Sequence, residues 1–145
     1  MTAYWLFKSE PSKWSWEMMQ KAGAKGTHWD GVRNHLAKKH LQAMKIGDLG
    51  FFYHSNEGKE IVGIVKIISE AYHDETAEIN EPWVVVDVQA VKILTKAITL
   101  AMVKANPKLA KMSLVTSARL SVQPVTSQEW AVVCEMGGVT FASAG

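Results

Sequence analysis

The spacing of apolar and polar residues changes several times along this chain, and each change predicts an element. Residues 3–8, AYWLFK, are apolar and aromatic enough for a first strand, and Glu10-Pro11 stops it. Ser15, with Glu17 in the turn that follows, predicts a short helix ending at Gly23. Residues 27–34, THWDGVRN, fit neither period and read as an ordered loop. Over residues 35–45 the period is helical: Leu36, Ala37, His40, Leu41 and Met44 fall on one arc, and Lys38, Lys39, Gln42 and Lys45 fill the other. Asn34 suits the N-cap of this helix and Gly47 its stop.

Strand-like runs dominate the remainder. Residues 49–53 and 61–68 are joined by HSNEGKE, whose Glu57-Gly58 centre predicts a hairpin with a longer loop. The second run is apolar on both faces, as in a central or barrel strand. A polar connector, residues 72–82, leads to the longest strand candidate, residues 83–94. Residues 99–105 predict a short helix that stops before Pro107, and residues 120–125 a last strand. Thr126 and Glu129 have the spacing of a capping box, and the helix they open puts Trp130, Val133 and Cys134 on one stripe before Gly137-Gly138. Strands outnumber helices, and neither β-α-β alternation nor a glycine-rich phosphate loop is apparent. The expected class is α+β, a curled or barrel-like sheet with flanking short helices. A single domain over 1–145 is expected, with its core over about 3–137 and a frayed tail over 138–145.

Composition narrows the function classes. With 48% hydrophobic and 21% charged residues in 145, the chain can bury a core without a metal or disulfide staple. Cys134, the only cysteine, cannot form an internal disulfide, which suits a reducing cytoplasm, or a nucleus in a eukaryote. No basic leader precedes the first strand and no apolar run approaches the roughly 20 residues that span a bilayer, so a soluble protein without membrane contact is expected. The formal net charge is only +2, too small for broad phosphate binding along a duplex; nucleic-acid contact is expected to be local. The five histidines, His28, His35, His40, His54 and His73, lack HExxH or paired-cysteine spacing, so no metal and no cofactor are expected.

Four separated stretches carry a family likeness: YWLFKSEP (4–11), HWDGVRN (28–34), GDLGFFYHSN (47–56) and RLSVQPVT (119–126). With VGIVKIISEAY before the connector and PWVVVDVQAV after it, they resemble the EVE family over residues 4–136. The resemblance implies a PUA-like curled β-barrel, related to the YTH and ASCH folds, with a pocket for a base flipped out of a nucleic acid. Members of that class are associated with modified bases, such as methylated or hydroxymethylated cytosine in DNA or modified RNA nucleotides. Fold alone does not fix function, so the residues must be weighed for it.

A free base has two apolar faces and a polar edge, so its reader needs an aromatic wall and a few fixed donors and acceptors. Trp29 is the expected wall, because it sits in the non-periodic loop rather than on a core stripe; the alternative is a plug at the bottom of the core. Ser9 and Glu10 follow the first strand, where a strand end can present them to a cavity. Tyr53, His54, Ser55 and Asn56 leave the sheet together and form a second expected rim. Asn34 either reads a base or caps its helix. Arg33 and Arg119 are the two arginines among 16 basic residues, suited to phosphate or to structural ion pairs. Arg119, Ser121 and Gln123 share one face if the last strand begins at Arg119. Trp5, Trp14, Trp16, Trp83 and Trp130 are expected in the core, Trp14 ambiguously, together with His40 and Cys134, while Lys38, Lys39 and Lys45 form a solvated helix face.

The function expected is a binding module for a nucleic acid or nucleotide with a modified base, without catalysis. Two alternatives stand beside it. One is an ASCH-like nucleotide- or RNA-processing hydrolase using Glu10, Asp30 and His54 as an acid/base set, and the other is a protein-interaction module.

Overall fold

The protein is described by a computed structural model over residues 2–140. The first aromatic run forms β1 (Tyr4–Ser9), and the hairpin forms β3 (Leu49–His54) and β4 (Glu60–Ile67). Between β1 and β3 lie α1 (Trp16–Ala22), the two-residue β2 (Thr27–His28) and α2 (His35–Ala43). The connector carries β5 (Tyr72–His73) and β6 (Val84–Val85), which pair only with each other. Then come β7 (Asp87–Thr99), α3 (Leu100–Ala105), α4 (Ser113–Thr116), β8 (Val122–Val125) and α5 (Ser127–Met136).

Six strands form one sheet in the order β2-β7-β4-β3-β1-β8. Every pairing in it is antiparallel except β1 with β3, which run parallel with Leu6 opposite Phe51 and Phe7 opposite Phe52. A parallel pair needs a crossover, and α1, β2 and α2 supply it. The absence of β-α-β alternation expected from the sequence is therefore corrected at this one place. Register shifts at Phe52/Tyr53, Ile61/Gly63 and Ile64/Val65 add local twist, and the sheet curls. This is the α+β curled sheet with short flanking helices that the sequence predicts.

Because alternate strand residues face opposite ways, the sheet packs two cores. Leu6, Phe51, Tyr53, Ile61 and Ile64 face the C-terminal helices, where Trp130 stacks on Tyr4 at 4.4 Å and on Phe51 at 4.0 Å. Trp5, Phe7, Phe52 and Val65 face the other side, against Trp16, Met19, Trp29 and Leu41. Buried Asp48, just before β3, ties this side together. It accepts from the Ala3 N–H, the Trp5 indole N–H and the Lys45 N–H, at 3.1, 3.1 and 3.0 Å.

Helix starts follow their caps. Ser15 accepts from the Met18 N–H, Asn34 from the Ala37 N–H, and Thr126 and Glu129 form the reciprocal capping box. Lys39 and Lys45 are exposed, whereas Lys38 and His40 are half-buried. Cys134 is buried. Three boundaries differ from expectation. The long strand begins at Asp87, not Trp83, because Trp83 instead packs on the His35 ring at 4.9 Å. It runs on to Thr99, whose hydroxyl caps α3 through the Met102 N–H. The last strand begins at Val122, not Leu120 or Arg119. Of the expected frayed tail, residues 141–145 lie outside the described residues.

At Gly63, between two of the register shifts, a Cβ would sit 2.4 Å from the Trp16 ring, closer than packed carbons approach. Gly63→Ala is expected to destabilise the fold by about 1–3 kcal/mol through overpacking. An unchanged urea midpoint in the variant would contradict this placement of Trp16.

Candidate functional site

Where β1 ends beside β2, the chain leaves a cavity of about 490 Å³. Ser9, Glu10, Lys13 and Trp14 line one part of it, residues 27–30 another, and Lys8 reaches it from β1. Three predicted site residues, Ser9, Glu10 and Trp29, thus converge on one cavity. Its walls combine two indoles with carboxylates at Glu10 and Asp30 and ammonium groups at Lys8 and Lys13. Such a set can stack on a flat ring and bond its edge.

Trp29 belongs to a core cluster and also lines this cavity. It is only 9% exposed and packs edge-on against Phe7 at 5.1 Å and Phe52 at 5.7 Å. Its N–H donates to the Val86 carbonyl at 2.8 Å, which fixes the backbone here. The Ser9 hydroxyl donates to the Trp14 carbonyl at 2.5 Å, so it braces the turn that brings Trp14 to the cavity. The Glu10 carbonyl accepts from the N–H groups of Lys13 and Trp14, and its carboxylate lies 3.5 Å from Lys13 Nζ at 40% exposure. Lys8 Nζ donates to the Ala118 carbonyl at 2.5 Å, and partial burial lowers its pKa.

The loop carrying Trp29 is held by Asp74, which is fully buried in the connector. Its carboxylate accepts from the Gly31 N–H at 2.9 Å, from Arg33 Nη1 at 3.0 Å, and from the N–H and hydroxyl of Thr76 at 2.8 and 2.6 Å. Burial by itself pushes the Asp74 pKa up. The Thr76 hydroxyl, the Gly31 N–H, Arg33 and the Thr76 N–H outweigh that and hold it at about 2. Arg33 is thereby a structural clamp rather than a cavity residue: it also donates to the Thr76 hydroxyl and lies 5.7 Å over the Trp83 ring.

Other expected site residues are placed elsewhere. Asn34 caps α2, and with Arg119 it lines a separate groove. His54 Nε2 accepts the Trp16 N–H at the start of α1, so this nitrogen carries no proton. Burial lowers the His54 pKa against the opposing charge of Glu60, and the neutral ring suits an acceptor. His54 therefore lies outside the cavity lining, and the set Glu10, Asp30 and His54 is not assembled there. Tyr53 is buried in the opposite core, with its pKa raised by burial. The Ser55 N–H bonds the Ser9 carbonyl, and Asn56 turns the hairpin at φ 65°, a conformation asparagine tolerates.

The rim of Arg119, Ser121 and Gln123 is corrected. Arg119 and Ser121 precede β8 and lack the alternation of a strand. Gln123 is fully buried, and its amide donates to the carbonyls of Ser113, Ser117 and Leu120 at 3.3, 3.0 and 2.9 Å. It pins the segment carrying α4 to β8. Reading by residue identity missed Lys8, Lys13, Thr27 and His28. Their one available signal was position, flanking Ser9-Glu10 and Trp29 in the two motifs that converge.

The EVE domain family matches residues 3–136, and the chain belongs to that family. It is 36% identical to human thymocyte nuclear protein 1 over 167 aligned residues, covering 94% of this chain and 74% of that protein. A solved structure of the human protein in complex with DNA containing 5-methylcytosine superposes with a TM-score of 0.86 at 34% identity, over 97% of this chain and 100% of that one. A crystal structure of a protein from Agrobacterium tumefaciens superposes at 0.95 with 55% identity, over 98% and 97% of the two chains. A YTH domain from Zygosaccharomyces rouxii, 14% identical, matches at 0.59 over 99% of this chain and 90% of its own, a likeness of fold. The curled sheet is thus the PUA-like fold. Among the described residues no helix is long and apolar enough to cross a membrane, and no cluster of three or more metal-ligating side chains occurs.

A carboxylate whose folded pKa is depressed stabilises the protein above its unfolded pKa and loses that contribution as pH falls through the folded value. For Asp74 the window runs from about pH 4 down to about pH 2, and the contribution is roughly 2 kcal/mol. Asp74→Asn is expected to cost about 3 kcal/mol at neutral pH, with the gap to wild type narrowing toward pH 2 in urea titrations. A gap that is constant with pH would show that the carboxylate charge contributes nothing.

Proposed function

We propose that the cavity between β1 and β2 receives a single modified nucleobase presented by a nucleic-acid strand, with a modified cytosine as the leading candidate. The observation that carries this reading is the meeting of Trp29 and Trp14 with Glu10 and Asp30 in one cavity of about 490 Å³. That volume is within the range of small-molecule sites, roughly 300–1,000 Å³. Indole faces supply stacking, and carboxylate oxygens can accept from an exocyclic amine such as that of cytosine. The family relation supports the choice of base, since the human relative was solved with DNA carrying 5-methylcytosine. A net charge of only +2 fits a contact confined to one flipped nucleotide and its neighbours. In this reading the protein binds rather than transforms its ligand.

Trp29 is part of the core, so Trp29→Ala would cost about 3–5 kcal/mol and confuse binding with folding. Trp29→Phe keeps an aromatic plug, and Glu10→Gln alters a partly exposed acceptor. The measurement is a tryptophan-fluorescence titration with short single strands and duplexes carrying cytosine, 5-methylcytosine, 5-hydroxymethylcytosine or N6-methyladenine. Binding selective for one modification is expected, weakened roughly 5- to 100-fold in the folded Trp29→Phe variant and less in Glu10→Gln. Equal affinity for every strand, untouched by either substitution, would remove the cavity from the reading.

A further inference from the structure

His28 stands on a wall shared by two cavities. It lines the larger one beside Trp29, and with Asp30 it also lines a second, of about 160 Å³, bounded by Tyr72, Glu75 and Thr76. The hydrogen bonds at its ring allow one arrangement of protons. His28 Nδ1 lies 2.8 Å from Asp87 Oδ1 and 2.7 Å from Tyr72 Oη, and the Tyr72 hydroxyl donates to the same Asp87 oxygen at 2.6 Å. A tyrosine has a single hydroxyl proton. With it committed to Asp87, Tyr72 Oη can only accept from the imidazole, and the carboxylate can only accept, so Nδ1 carries a hydrogen in either charge state. Nε2 is then the variable atom, a bare lone pair on the neutral ring and an N–H donor on the cation.

The charges around the ring favour the cation. Asp87 on β7 bonds it directly, Glu75 faces it from the connector and Asp30 from the loop after β2. The hydrogen bond to Asp87 raises the His28 pKa, burial opposes the rise, and the charges of Asp87, Glu75 and Asp30 add to it. Tyr72 stays neutral, its pKa raised by burial and by Asp87. Lys8, Glu10 and Lys13 are the other charged groups of the larger cavity. With His28 neutral, Asp87, Glu75 and Asp30 leave this rim anionic. Protonation offsets one of those charges and adds a donor, and both changes favour a polyanion.

Position selects the kind of contact. The His28 side chain is 68% exposed, whereas Trp29 beside it is 9% exposed. Trp29 therefore lies deep and His28 at the mouth, where the backbone of a strand with an inserted base must pass. We propose that the imidazolium of His28 donates through Nε2 to a backbone phosphate next to the inserted nucleotide, so that this site holds nucleic acid more tightly on acidification. The proposal rests on the reading of the cavity as a nucleotide site.

The test compares wild type, His28→Gln and Asp87→Asn, binding either an oligonucleotide with 5-methylcytosine or the free nucleoside 5-methylcytidine, between about pH 5.5 and about pH 8.5. Oligonucleotide affinity is expected to fall about threefold to tenfold across that range in wild type and to stay flat in His28→Gln. At the acidic end His28→Gln should also lower the slope of log affinity against log salt by about 0.7. Asp87→Asn should move the midpoint to lower pH, and nucleoside affinity should not follow His28 at all. The His28 ring protons, followed by NMR, should titrate at higher pH with the oligonucleotide bound. Full pH dependence surviving in His28→Gln would overturn the proposal. So would a nucleoside that shows the same dependence, because the contact would then be to the base. Wild type that binds neither ligand at any pH removes the nucleotide reading and this contact with it, an outcome distinct from binding that ignores pH.

Discussion

The arrangement of the site depends on one buried carboxylate. The loop from Trp29 to Asn34 has no periodic pattern and no ladder of its own, so something outside it must fix its path. Asp74 does so from further along the chain, 43 residues beyond Gly31 and 41 beyond Arg33, by accepting from both of them and from its neighbour Thr76 at once. A carboxylate without solvent is costly unless its lone pairs are filled, and filling them here demands that loop and connector meet in one geometry. Trp29 is delivered to its place from one end of this knot. From the other end, Asn34 opens α2.

The cavity is built at the expense of little else in the fold. Trp29 lines the opening while its ring meets Phe7 and Phe52 in T-shaped contacts, so one residue is both wall and core. The opposite side is a turn held by Ser9 and Glu10, whose polar atoms are largely engaged in shaping it. If a base enters as proposed, walls anchored by these bonds need little ordering to receive it.

Local physics was legible from the sequence, and long-range pairing was not. The caps at Ser15, Asn34 and Thr126 and the hairpin follow from residue types acting over a few positions, whereas the meeting of Ser9 and Glu10 with Trp29 joins two segments that no local pattern links. Arg33 and His54 were harder, because each is a polar residue inside a motif whose partner is remote, Asp74 and Trp16, and Gln123 was hidden because its partners are backbone carbonyls of the irregular segment just before β8. Nothing local separates a polar group that meets a ligand from one that satisfies a buried backbone. The parallel β1–β3 pair was hidden for a related reason, since the crossover between them contains a two-residue strand too short to give a period.

That two-residue strand also bears on how the sheet is bordered. A sheet ends in unpaired backbone groups that invite another chain to add a strand. One edge of this sheet is β2, only two residues long; the other is β8, four residues with Pro124 among them, which has no N–H to offer. Both borders are therefore poor templates for strand addition, because neither offers a run of free N–H and C=O groups long enough to hold a further strand.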